Sequence, residues 1–61
     1  MKPKVLIKLL EMNGFVFARQ KGSHAIFKKP GHIRIVVPMH SKDIPKGTLH
    51  AILKDASLKI L

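Results

Sequence analysis

Apolar residues recur at helical spacing near the two ends of the chain and at strand spacing between them. From Pro3, the run Pro-Lys-Val-Leu-Ile-Lys-Leu-Leu-Glu-Met-Asn puts Val5, Leu6, Leu9 and Leu10 on one stripe, with Lys4, Lys8 and Glu11 opposite. Proline suits a first helical turn, where its missing N–H would have no partner anyway. Asn13-Gly14 supplies a left-handed stop. These signals predict a first helix over about residues 3–13.

After Gly14 the period becomes two. Phe15, Phe17 and Arg19 alternate with Val16 and Ala18 in a first strand that runs out at Gln20-Lys21. Gly22-Ser23 is a tight connection into a second strand, His24 to Lys28. There Ala25 and Phe27 share one face and His24, Ile26 and Lys28 the other. Ala25 and Phe27 are the inward pair, because their face carries no charge before Lys29. Lys29-Pro30-Gly31-His32 reads as a turn. A third strand, Ile33 to Val37, sets Ile33, Ile35 and Val37 against Arg34 and Val36, and Pro38 ends it. A loop leads to Pro45, a second first-turn proline. Leu49, Ile52, Leu53 and Ala56 then mark an amphipathic helix over about residues 45–57. Gly47 weakens its first turn by up to about 1 kcal/mol relative to alanine. Leu58 to Leu61 form a short apolar tail that could pack on the sheet or serve a partner.

The expected fold is therefore α+β, in the order α-β-β-β-α. Three short antiparallel strands and two amphipathic helices have one economical arrangement, with both helices on one face of the sheet. The other face is left open for a ligand. Residues 1–61 are expected to form a single domain. A chain this short hides only roughly 60% of the surface its unfolded form exposes, so the core is thin.

Composition narrows the partners. The chain has no cysteine, so it has neither disulfides nor a thiolate metal site. No run of about 18 apolar residues predicts a membrane span. The N-terminus lacks an apolar run with a small-residue cleavage site, and the expected compartment is the cytoplasm. Twelve Lys and Arg against three acids give a net charge of +9. A field of that size attracts polyanions such as nucleic acid or an acidic protein. The cations are spread along the chain instead of lying on one helix face, which argues against a membrane surface. Lys21, Lys28, Lys29 and Arg34, with Arg19 close behind, sit in strands and turns where they could line a path for phosphates. With no Trp or Tyr, and three Phe assigned to core or sheet, backbone and shape reading of RNA fits better than base stacking.

Four histidines carry the candidate chemistry: His24, His32, His40 and His50. None forms an i, i+4 pair with another and none has a cysteine nearby, so no metal or other cofactor is expected. Glu11, Asp43 and Asp55 form no evident pair, which disfavours two-carboxylate and two-metal hydrolysis. Ser23 is a poor nucleophile for His24 to activate, because adjacent strand side chains point to opposite faces. An imidazole, titrating near about pH 6.5, can give or take a proton under physiological conditions. Spacing alone leaves His24 open between a packed sheet histidine and a proton-transfer group. His40, just past the third strand, is a further histidine able to approach it.

The chain resembles the HicA toxins of bacterial and archaeal toxin–antitoxin pairs along nearly its whole length. The likeness begins at Leu6-Ile7-Lys8-Leu9-Leu10-Glu11 and Asn13-Gly14-Phe15, and continues through Lys21-Gly22-Ser23-His24 with Phe27 three residues on. It resumes in Val36-Val37-Pro38-Met39-His40, in Ile44-Pro45-Lys46-Gly47-Thr48-Leu49 and in Ile52-Leu53-Lys54-Asp55-Ala56. The resemblance implies a double-stranded-RNA-binding-domain-like fold and the activity of an mRNA interferase. It implies that the histidine of the Gly-Ser-His segment, here His24, is catalytic, and that a HicB-like antitoxin binds and covers the toxin. Phe15 stands where many members carry tryptophan. The expected chemistry is metal-free: His24 moves a proton at a ribose 2′-hydroxyl while Lys21, Lys28 and Arg34 offset phosphate charge. The alternative is a basic RNA-binding module that cuts nothing.

Overall fold

The computed structural model describes residues 1–40 and 42–58. Helix α1 spans Pro3–Met12, followed by strands β1 (Val16–Lys21), β2 (His24–Lys28) and β3 (Ile35–Pro38), and by helix α2 (Lys46–Asp55). The strands form one antiparallel sheet in the order β1-β2-β3. Leu6 and Leu10 from α1, Ile52, Leu53 and Ala56 from the α2 end, and Ala25, Phe27, Ile35 and Val37 from the sheet join in one core. Both helices thus cover the same sheet face, as the alternating pattern requires.

Each helix stops in a way its sequence dictates. At the end of α1 the Phe15 N–H donates to Leu10 O at 3.0 Å and the Gly14 N–H to Glu11 O at 3.1 Å. Gly14 holds φ at +90°. This is a Schellman stop, and its usual apolar clasp is made by Phe15 and Leu10, both in the core. At the end of α2 the same pair of bonds recurs, from Leu58 to Leu53 O at 2.8 Å and from Ser57 to Lys54 O at 3.1 Å. There the left-handed position is held by Ser57, at φ +58°. Leu58 packs half-buried against the core. The rest of the apolar tail lies outside the described residues.

Three features differ from the sequence reading. In α1 the buried side is Pro3, Leu6 and Leu10, while Val5 is 53% exposed. The i, i+4 pair of leucines faces the sheet, and Val5 lies off that line. Strand β3 starts at Ile35 instead of Ile33, because its pairing with β2 begins at Phe27↔Ile35. A turn closed by the His32 N–H on Lys29 O at 3.1 Å precedes it, Ile33 and Arg34 belong to no regular element, and Ile33 is exposed.

The third difference matters most for function. In β1, Phe17 pairs with Phe27 but Arg19 pairs with Ile26, so Ala18 is an extra, unpaired residue. A β-bulge of this kind shifts every later side chain to the opposite face. Phe17 stays on the helix side, edge-on to Phe27 with ring centres 5.7 Å apart, though at the sheet edge it is 55% exposed. Arg19, two residues on, turns to the open face. The alternation of Phe15, Phe17 and Arg19 on one side therefore does not hold.

Candidate functional site

The site is built on the β1–β2 hairpin. Lys21 pairs with His24 across a two-residue turn, Gly22-Ser23. Gly22 adopts φ +58° whereas Ser23 does not enter the left-handed region, which is the pattern of a turn with glycine at its first central position. The Gln20 side-chain amide donates to Gly22 O at 3.1 Å and braces the turn. A two-residue loop fixes the register of the hairpin. It therefore decides that His24, Ile26 and Lys28 face away from the helices.

The register collects the open face. Val16 lies opposite Lys28, Arg19 opposite Ile26 and Lys21 opposite His24; on the far side Val36 lies opposite Ile26 and Pro38 opposite His24. Ile26 is only 6% exposed, yet it is separate from the helix-side core. Its cross-strand neighbours on this face are Arg19 and Val36, and arginine is a side chain that can bury its stem and keep its head in water. A shallow basin results, floored by Ile26 and Val36 and lined by Arg19, Lys21, His24 and Arg34. Among the described residues no carboxylate lines it. At about 610 Å³ it has room for a nucleotide.

The cations named from the sequence separate here. Lys21 and Arg34 line the basin with His24. Lys28 shares the open face through its pairing with Val16 and is exposed, extending the cationic surface beyond the basin. Lys29 goes elsewhere. Its Nζ lies 5.5 Å over the Phe15 ring and its Cε would sit 3.4 Å from a side chain at Gly14, so it closes the end of α1 and does not join the basin. Arg19, a second choice from sequence, is brought in by the bulge at Ala18. No signal in the sequence marks that bulge.

The histidines separate as well. His24 is exposed, at the rim between the turn and the basin. His32 packs edge-on against Phe15 with ring centres 5.5 Å apart, its Nδ1 3.3 Å from Pro30 O, and serves the fold. His50 lies on α2 beside Leu49, Leu53 and Lys54. His40 does approach: its ring centre is 6.1 Å from that of His24. Among the described residues no three His, Asp or Glu side chains gather to hold a metal ion, and no helix is long and apolar enough to cross a membrane.

An exposed imidazole beside three cations and an apolar floor can receive a phosphodiester and move a proton on it. Comparison with protein families bears on what uses it. A family model described as the HicA toxin of bacterial toxin–antitoxin matches residues 4–58. The chain belongs to the HicA toxin family. It is thus the toxin type of a toxin–antitoxin pair, and the match covers α1 from its second residue, the whole sheet with the hairpin that carries His24, and α2. No curated protein matches the chain.

Proposed function

We propose that this HicA-family chain is a metal-independent endoribonuclease that cuts mRNA in the cytoplasm, with His24 as its proton-transfer residue. The observation that supports it is the position of His24: exposed on a face that carries Arg19, Lys21 and Arg34 and, among the described residues, no carboxylate. His24 takes the proton of a ribose 2′-hydroxyl. The freed oxygen attacks the adjacent phosphorus as the bond to the 5′-oxygen breaks, leaving a 2′,3′-cyclic phosphate and a 5′-hydroxyl end. Arg19, Lys21 and Arg34 offset the charge that builds on the phosphoryl oxygens. Lys28 extends the phosphate track along the strand. A HicB-like antitoxin of acidic surface would silence the toxin by covering the same face, where +9 of net charge favours it.

A defined RNA incubated with the protein in EDTA tests the reading. Cleavage is expected, and a single 2′-deoxy substitution at the cut position abolishes it. Replacing His24 with alanine is expected to slow cleavage by about 10²–10⁴-fold, the usual worth of a positioned acid or base, while RNA binding survives. Cleavage of the deoxy substrate sinks the mechanism. A wild type that binds RNA under these conditions and leaves it whole makes the protein a binding module instead.

A further inference from the structure

Phosphodiester transfer needs two proton movements, one off the attacking hydroxyl and one onto the leaving oxygen. In an in-line displacement these oxygens lie on opposite sides of phosphorus, so one side chain cannot serve both well. His24 accounts for the first. Among the described residues, the hairpin basin offers no second imidazole and no carboxyl: its other ionisable side chains are Arg19, Lys21 and Arg34.

His40 fills this place geometrically. Its ring stands edge-on to that of His24, at 71° and 6.1 Å between centres. That is too far for a direct hydrogen bond between the rings. It is close enough for one phosphodiester to touch both. The two imidazoles share a cavity with Val36, Pro38, Pro45 and Thr48. Fixed points of the backbone hold the loop that brings His40 there. The Met39 N–H donates to Ser23 O at 2.6 Å, tying the residue before His40 to the residue before His24. At the far end the Ile44 N–H donates to Met1 O at 2.8 Å, and Ile44 is buried in the core. The exposed His40 ring has no fold-side role comparable to that of His32 on Phe15.

We propose that His40 is the second catalytic residue of this site and protonates the leaving 5′-oxygen as His24 deprotonates the 2′-hydroxyl. This rests on the endoribonuclease reading above. In one turnover the proton of the 2′-hydroxyl goes to His24, the new bond forms from O2′ to phosphorus, the bond from phosphorus to O5′ breaks, and O5′ takes the proton of the His40 imidazolium. No redox change or added reactant is involved. The charged groups facing the pair are Arg19, Lys21 and Arg34 on the His24 side. Among the described residues the cavity shared by the two rings has no other ionisable side chain, and Lys42, further along the loop, lines the cavity at the start of α1.

The test compares wild type, His24→Gln and His40→Gln on two RNAs that differ in one atom. One carries the natural O5′ at the cut, and the other carries sulfur there, a thiolate that leaves without needing a proton. His40→Gln is expected to cut the natural RNA about 10²–10⁴-fold more slowly than wild type and the sulfur-bridged RNA at close to the wild-type rate. His24→Gln is expected to be slow on both. With natural RNA the wild-type rate rises and then falls with pH, since the base must be neutral and the acid protonated. His40→Gln is expected to lose the fall and keep the rise. His40→Asn, with a melting temperature taken for each variant, separates loss of chemistry from loss of fold. Natural cleavage at the wild-type rate by His40→Gln overturns the proposal, as does an equal loss on both RNAs. A wild type that cuts neither RNA overturns the endoribonuclease reading itself.

Discussion

The separation of Lys29 from the other cations can be measured through salt. Four side chains, Arg19, Lys21, Lys28 and Arg34, share the open face, whereas Lys29 sits on Phe15 behind the end of α1. A cation that neutralises a phosphate of single-stranded RNA contributes about −0.7 to the slope of log affinity against log salt. Four such contacts give a slope of about −2.8, which is about a 50-fold loss of affinity between 50 and 200 mM salt. Removing one lowers the slope to about −2.1 and that loss to about 20-fold. The assay is fluorescence-anisotropy titration of a labelled single-stranded RNA across that salt range, in a His24→Ala background so that the RNA is not consumed. Arg19→Ala, Lys21→Ala, Lys28→Ala and Arg34→Ala are each expected to remove about 0.7 of slope. Lys29→Met, which keeps the aliphatic stem over Phe15, is expected to leave the slope unchanged and to cost about 0.5–1 kcal/mol of stability through the lost cation–π contact. If Lys29→Met lowers the slope as much as Arg19→Ala does, the division of the charged surface is wrong. If Arg19→Ala changes nothing, the bulge does not turn that side chain to the RNA.

Two further predictions concern backbone at φ near +58°. Ser57 occupies the left-handed stop of α2 without being glycine, so Ser57→Gly is expected to stabilise the fold by about 1 kcal/mol. That appears as a rise in melting temperature of about 4–8 °C for a domain this small, and an unchanged or lower value refutes the assignment of the stop. Gly22→Ala is expected to cost about 1–2 kcal/mol. An added Cβ meets nothing within 4 Å, so the cost is purely conformational, and Gly22→Asn is expected to cost less because asparagine tolerates this region better. Equal melting temperatures for wild type and Gly22→Ala would mean the hairpin turns another way.

The order of elements is readable from the sequence because each signal is local. Prolines mark the starts of both helices, Gly14 permits the stop of α1, and the periods of Leu6 and Leu10 or of Ala25 and Phe27 follow from which face is buried. Where the reading slips, the cause is a pairing between distant residues. Val5 looks like part of an apolar stripe, but a sheet only three strands wide covers only the Leu6–Leu10 line. Ile33 alternates correctly with Ile35, yet a strand needs a partner, and the antiparallel register that pairs Phe27 with Ile35 would set Ile33 opposite Lys29, past the end of β2. Ser57 ends a helix at a position where a sequence reader looks for glycine. Nothing near it in the chain shows that Leu58 is drawn to the core and pulls the preceding residue into the left-handed region.

The site shows the same division more sharply. His24 stands out in the sequence because the Gly-Ser turn before it fixes the register, and register alone sends it to the open face. Arg19 does not, because plain alternation from Phe17 aims it at the helices. One unpaired residue, Ala18, reverses that. The bulge lets the same short strand put an aromatic ring against Phe27 on one side and an arginine opposite Ile26 on the other, two places apart. A regular strand cannot do this, since residues two apart share a face. Ile26, a buried apolar residue on the ligand side of the sheet, thereby has a charged cross-strand neighbour that lines the same basin. His40 depends on longer-range contacts still. It reaches His24 only because Met39 bonds to Ser23 and Ile44 to Met1, contacts between residues far apart in the chain. The parts of the site set by turn chemistry are therefore legible, and the parts set by pairing across the sheet or by a tethered loop need the fold itself.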